Sequence, residues 1–152
     1  MPKQSAGILL YRKINKEPEV LLVHPGGPFF AKKDLGAWSI PKGEFPEGED
    51  PLDAAKREFQ EETGYVPKGE FIPLGSVKQT SGKIVLAWAA QGDFDPEKIK
   101  SNTFTLEWPP KSGQCKEFPE VDRAEWFPLA LALEKINSAQ RELIQRLQIS
   151  HF

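Results

Sequence analysis

Cysteine is nearly missing: the one thiol, Cys115, has no mate for an internal disulfide and no companion thiols for a zinc site. No apolar run approaches the roughly 20 residues a membrane helix needs, and no signal-peptide layout opens the chain. These absences lead to the expectation of a reducing, cytoplasmic setting with no membrane partner. Excess positive charge is lacking too. A total of 20 lysines and arginines against 22 aspartates and glutamates leaves a formal net charge of −2. A general nucleic-acid binder is usually basic, so no nucleic-acid partner is expected. Internal repeats and low-complexity tracts are absent, and tyrosine occurs only at Tyr11 and Tyr65. The 152 residues, 39% hydrophobic and 28% charged, suit a single domain over 1–152 with a proper core.

What the chain does have is concentrated between Gly43 and Tyr65. Asp50 precedes Pro51, and Asp53 follows in the first turn, which marks a helix start through an N-cap side chain, a preset proline and acidic groups at the positive end. Gly64 after Thr63 offers a left-handed stop. On that helix Leu52, Ala55 and Phe59 fall on one apolar stripe. Glu58, Glu61 and Glu62 fall beside it, with the small Ala54 in the same arc leaving space above it. Glu58 and Glu62 lie one turn apart and repel by roughly 0.2–0.5 kcal/mol. Crowded carboxylates beside a buried stripe serve stability poorly. They can be a solvated acidic face, or a site for a hard divalent cation, which prefers oxygen ligands.

The flanking residues favour the second reading. Gly43, Glu49, Arg57, Glu58, Phe59, Glu61, Glu62, Gly64 and Tyr65 fill every fixed place of a Gly-x5-Glu-x7-Arg-Glu-hydrophobic-x-Glu-Glu-x-Gly-hydrophobic pattern without a gap. This resembles the signature of the Nudix hydrolases. The resemblance implies an α/β fold, an α/β/α sandwich with a mixed central sheet. It also implies hydrolysis of a nucleoside diphosphate linked to another group, with Mg2+ or Mn2+ as cofactor. Glu58, Glu61 and Glu62 would be metal ligands and catalytic residues, with the Gly43 carbonyl completing the shell. Arg57 would pair with Glu49 and orient the carboxylates. Glu58 is the first choice for the general base, though a residue of another loop can take that role in the family. A late acidic residue before a Glu-Trp strand often adds a ligand or base; Glu120 is best placed by order and spacing, Glu117 second.

Along the chain, 5–11 and 19–24 read as strands joined by a charged turn, apolar enough to be covered on both faces. From His24 to Ala37 runs a glycine- and proline-rich loop. Its Lys32 and Lys33 are either solvated surface or contacts to substrate phosphate, and His24 is either structural or a base. Trp38-Ser39-Ile40-Pro41-Lys42-Gly43 looks like the corresponding stretch of diadenosine polyphosphate and diphosphoinositol polyphosphate hydrolases. Lys42 would then meet phosphates, and Trp38 is either core or a base-stacking platform. Further strands are expected over 70–77, 83–90, 103–108 and 123–127, an irregular loop over 109–119, and helices over 129–136 and 138–147. Trp88 within 83–90 can be core or a base platform. The expected partner is a nucleotide-type small molecule, with dinucleoside polyphosphates favoured. The alternatives are nucleoside triphosphate pyrophosphohydrolysis of the sanitising type and a non-catalytic nucleotide-sensing module. Oligomeric state is left open by the sequence.

Overall fold

In the computed structural model, which describes residues 3–151, a mixed sheet lies between helices on both faces. Strands β1 (Gln4–Ile14), β2 (Glu17–Pro25), β4 (Phe71–Lys78), β5 (Ile84–Gln91) and β8 (Val121–Pro128) run in the order β4-β5-β1-β2-β8. Among the described strands of this sheet, β1 and β5 pair in parallel and the other neighbours are antiparallel. A short β3 (Lys42–Glu44) also pairs with β1. β1 is buried from Ser5 to Tyr11, and its side chains alternate between two cores, as the unbroken apolar run requires. Leu9, Tyr11, Val20 and Leu22 face one way, against Leu143, Ile144 and Leu147 of α3 (Arg141–His151) and Leu129 and Ala132 of α2 (Leu129–Lys135). Ile8, Leu10, Leu21 and Val23 face the other, against Ala54, Ala55 and Phe59 of α1 (Pro51–Thr63).

The feature that builds the site is a parting of β1 from β2. The two are paired from Tyr11 to Ile14, but towards its start β1 pairs with β3 instead, Ser5 to Gly7 against Glu44 to Lys42. Segment 38–44 is wedged into the opening. Ser39 bridges Val23 of β2, and the Ile8 amide donates to the Pro41 carbonyl at 3.2 Å. Gly7 permits this approach: a Cβ there would stand 2.6 Å from the Pro41 carbonyl oxygen and 2.7 Å from Lys42 Cβ.

The helix signals acted as expected. Asp50 accepts from the Asp53 amide at 3.1 Å, and Gly64 closes the helix at φ 81°. Its buried face is broader than the expected stripe, comprising Ala54, Ala55, Glu58, Phe59 and Thr63, while Leu52 is half-buried. Ala54 therefore packs into the core instead of leaving space beside the carboxylates. Residues 109–119 are not wholly irregular. β7 (Cys115–Pro119) pairs with β6 (Thr103–Glu107) as a separate two-stranded hairpin. It escapes a sequence reading because it is exposed on both faces and lacks alternation. Among the described residues, no helix is long and apolar enough to cross a membrane.

Candidate active site

The wedge carries Lys42 and Gly43 against the carboxylate edge of α1. Glu58, 8% exposed, lays its carboxylate over Gly43; a Cβ on that glycine would meet Glu58 Oε2 at 2.0 Å. No other residue could stand there with Glu58 in place. Glu62 comes up beside it, and the Lys42 backbone amide donates to Glu62 Oε1 at 3.3 Å. Gln140, fully buried and a hundred residues away, fixes the wedge from the other side: its Oε1 accepts from the Ile40 amide at 3.0 Å. Nothing in the sequence around Gln140 marks that role, because the contact exists only once α3 is docked.

Arg57 does pair with Glu49, through Nε at 3.0 Å and an Nη at 2.9 Å, a bidentate ion pair that ties the loop before α1 to the helix. Its other Nη donates to Glu58 Oε1 at 2.8 Å and to both Glu61 oxygens at 3.3 Å. Glu49 foremost, then Glu58, holds the guanidinium more firmly protonated than usual, and Arg57 in return keeps the Glu49 carboxyl below its ordinary range.

A cleft of about 190 Å³ opens between β2 and the wedge, lined by Val23, Pro25, Ser39, Ile40, Lys42, Glu62, Glu120 and Val121. Glu120 thus lines the same cleft as Glu62 and Lys42. Asn102 stitches it to α1: the Glu120 amide donates to the Asn102 carbonyl at 2.8 Å, and the Asn102 amide donates to the Glu61 carbonyl at 2.9 Å. Burial, then the charges of Glu120 and Glu58, push Glu62 up to about 8 against the pull of Lys42. Glu58 is raised as well, by burial and then by Glu61, with Arg57 opposing. Burial pushes the Lys42 ammonium below the usual lysine range, with Glu62 drawing it back up.

The other expected residues divide. Trp38 is 1% exposed, packed edge-on against Phe127 and His24 with its indole N–H donating to Asp34 at 2.8 Å. A base cannot reach that ring, so Trp38 is a core residue and not a substrate platform. Lys32 sits exposed on the 26–37 loop and is not among the residues lining the Glu62 cleft. Glu117 points away on β7, where the Thr103 hydroxyl bonds it. His24 is fully buried, its ring nitrogens taken by Asp122 at 2.8 Å and the Lys33 carbonyl at 2.7 Å, which is the structural role. Trp88 is half-buried against the α1-side core.

Among the described residues no three carboxylate, imidazole or thiol side chains converge as a ready metal cluster. Arg57 holds Glu58 and Glu61 instead. The donor set nonetheless suits a hard cation. It is all oxygen, the space above Gly43 is filled by a carboxylate, and Glu62 stands in a surplus of negative charge that a divalent ion would relieve.

A mixed sheet between helices, parted to admit a glycine under a helix-borne carboxylate, belongs to a class of protein built around an acidic helix edge. The NUDIX domain family model matches residues 1–147, and the chain belongs to that family. It is similar to the RNA pyrophosphohydrolase of Rhizobium meliloti (strain 1021), 32% identical over 107 residues that cover 60% of this chain and 59% of that protein. It is similar also to an octanoyltransferase of Myxococcus xanthus, 27% identical over 146 residues, 95% of this chain and 36% of that protein. The chain therefore spans from about a third to three fifths of the length of these curated relatives. Among solved structures, a C. elegans Ap4A hydrolase in a binary complex superposes with a TM-score of 0.68 over 97% of this chain and 96% of that one. At 22% identity that likeness is one of fold.

Proposed function

We propose that the chain is a divalent-metal-dependent pyrophosphohydrolase that cleaves a phosphoanhydride bond in nucleoside or dinucleoside polyphosphates, the latter favoured. The observation that carries this reading is the meeting of Glu62, Glu120 and Lys42 on one small cleft, with Glu58 laid over Gly43 at its edge. Glu58, Glu61, Glu62 and the Gly43 carbonyl would hold Mg2+ or Mn2+, with Glu120 across the cleft. When bound, such an ion neutralises phosphate oxygens and lowers the pKa of an attacking water.

The rest of the work falls to the chain. Lys42, drawn towards Glu62 and Glu58, offers its ammonium to phosphate oxygens at the cleft wall and stabilises charge gathering on the leaving phosphate. Water attacks phosphorus, the bridging P–O bond breaks, and the water proton passes to a carboxylate, with Glu58 the first choice. Arg57 binds no substrate in this scheme. By holding Glu49, Glu58 and Glu61 together it positions the carboxylates, a constraint whose loss typically lowers metal affinity or activity by about 10–100-fold.

A substrate panel tests the reading: diadenosine tetraphosphate, common and oxidised nucleoside triphosphates, ADP-ribose and a diphosphoinositol phosphate, each with Mg2+ and then Mn2+. Release of ATP plus AMP from diadenosine tetraphosphate above all other turnover is the expected result. Monophosphate plus pyrophosphate from a triphosphate would move the protein to the sanitising type, and binding without any turnover would leave a sensing module.

A further inference from the structure

The β6–β7 hairpin is not built to cover a core. Its strands are exposed or half-exposed throughout, and neither core includes Phe104, Phe118 or Trp108. It is nevertheless held firmly beside the cleft. The Gly26 amide donates to the Glu120 carbonyl at 2.9 Å, and a Cβ on Gly26 would stand 1.9 Å from the Pro119 carbonyl oxygen. Gly27, at φ 94°, brings its backbone onto the Phe104 ring, where a Cβ would lie at 2.9 Å. The 26–37 loop is thus laid directly on the hairpin, at the point where Glu120 enters the cleft.

This junction presents two aromatic rings to solvent. Phe29 is 60% exposed and meets half-buried Trp108 at 5.4 Å between centroids with an 81° interplanar angle, so the two rings meet edge to face in a right-angled corner. Phe29 follows Gly26 by three residues, which places its backbone within about 11 Å of the Glu120 contact. The same loop carries Lys32 and Lys33, both exposed, and the hairpin tip carries exposed Lys111. An exposed aromatic corner on a loop that also carries lysines, a short reach from a phosphate cleft, matches a flat aromatic ring joined to a chain of phosphates.

We propose that Phe29 and Trp108 form a stacking platform for a nucleobase of the polyphosphate substrate, and so determine specificity for nucleotides over base-free polyphosphates. This rests on reading the cleft as a nucleoside polyphosphate site. The chain's two tyrosines do not supply such a platform: Tyr11 is 3% exposed, and Tyr65 packs against Phe59 and Phe94. Stacking on aromatic rings tolerates any base, so the platform selects for the presence of a base and not its identity.

The test is calorimetric binding of ATP and of inorganic tripolyphosphate, each with its bridging oxygens replaced by methylene so that neither is cleaved, to the wild-type chain and to F29A in Mg2+. Phe29 is exposed, so its truncation leaves the fold intact. ATP binding is expected to weaken by about 5- to 150-fold in F29A, the range for loss of one base–aromatic stack. Tripolyphosphate binding is expected to stay unchanged, and F29Y to restore ATP binding. Equal weakening of both probes, no change in either, or no ATP binding by the parent protein would each overturn the platform. Base-dependent binding in a protein whose wild-type form cleaves no polyphosphate would uphold the platform and refute the hydrolytic reading of the cleft.

Discussion

Replacing Gly43 by alanine isolates the geometry of the site from its chemistry, because no titratable group is removed. The added methyl would stand 2.0 Å from Glu58 Oε2, 2.2 Å from its Cδ and 2.7 Å from Oε1. Every one of these atoms belongs to the end of a flexible side chain, so Glu58 moves and the backbone stays. The carboxylate must retreat by more than an ångström to reach ordinary contact, and its 2.8 Å bond from Arg57 breaks. That bond is partly exposed and contributes about 1 kcal/mol, or about 2–4 °C of melting temperature in a chain of this size. Metal binding should suffer more, because Glu58 is put out of place and the Gly43 carbonyl is crowded. A loss of about 10–100-fold in Mn2+ affinity is expected. Titration calorimetry with Mn2+, beside thermal melts of the same samples, reads both. A G43A protein that keeps wild-type Mn2+ affinity would refute the assignment of Glu58 and Gly43 to the cation site.

Two other outcomes follow from the same contacts. Glu62 sits at about 8 when metal-free, above the ordinary 4.5. Between those values the folded chain keeps a proton that the unfolded chain has released, so metal-free stability should fall as pH rises through the window and level off above about 8. A cation must displace that proton, so Mn2+ affinity should climb by up to about tenfold per pH unit below 8 and flatten above it; a flat affinity from pH 6 to 9 would contradict this. Gly7→Ala pushes a methyl against the Pro41 carbonyl, which is backbone and cannot swing aside. Overpacking of about 1–3 kcal/mol is expected, seen as a lower melting temperature, and an unchanged melt would show that the wedge is looser than described.

How much of this could be read in advance depended on how local the cause was. The ends of α1 were legible because Asp50, Pro51 and Gly64 each act within a turn of themselves. The carboxylate edge was legible because helical spacing alone puts Glu58, Glu61 and Glu62 together. β3 was not, since three residues carry no periodicity and their partner is the distant start of β1. Leu52 and Ala54 show the limit of a helical projection: it orders residues around an axis, but the sheet decides how wide the buried face becomes. Trp38 was ambiguous for the same reason. A tryptophan beside Pro-Lys-Gly can stack on a base or fill a core, and only docking against Phe127 and His24 selects the core. Glu120, 58 positions beyond Glu62, could be singled out only by its order before a Glu-Trp strand, because its approach depends on backbone bonds through Asn102 that leave no side-chain pattern to read.

The most direct test of the account is turnover of the best panel substrate by E62Q beside wild type, with a thermal melt of each. Glutamine can still accept from the Lys42 amide, and it removes a half-buried acid that burial and like charge disfavour. The account predicts a melting temperature equal to or above wild type, with Mg2+-dependent turnover reduced by about 100-fold or more. An E62Q protein with a wild-type melt and full turnover would contradict the claim that Glu62 belongs to the catalytic cleft.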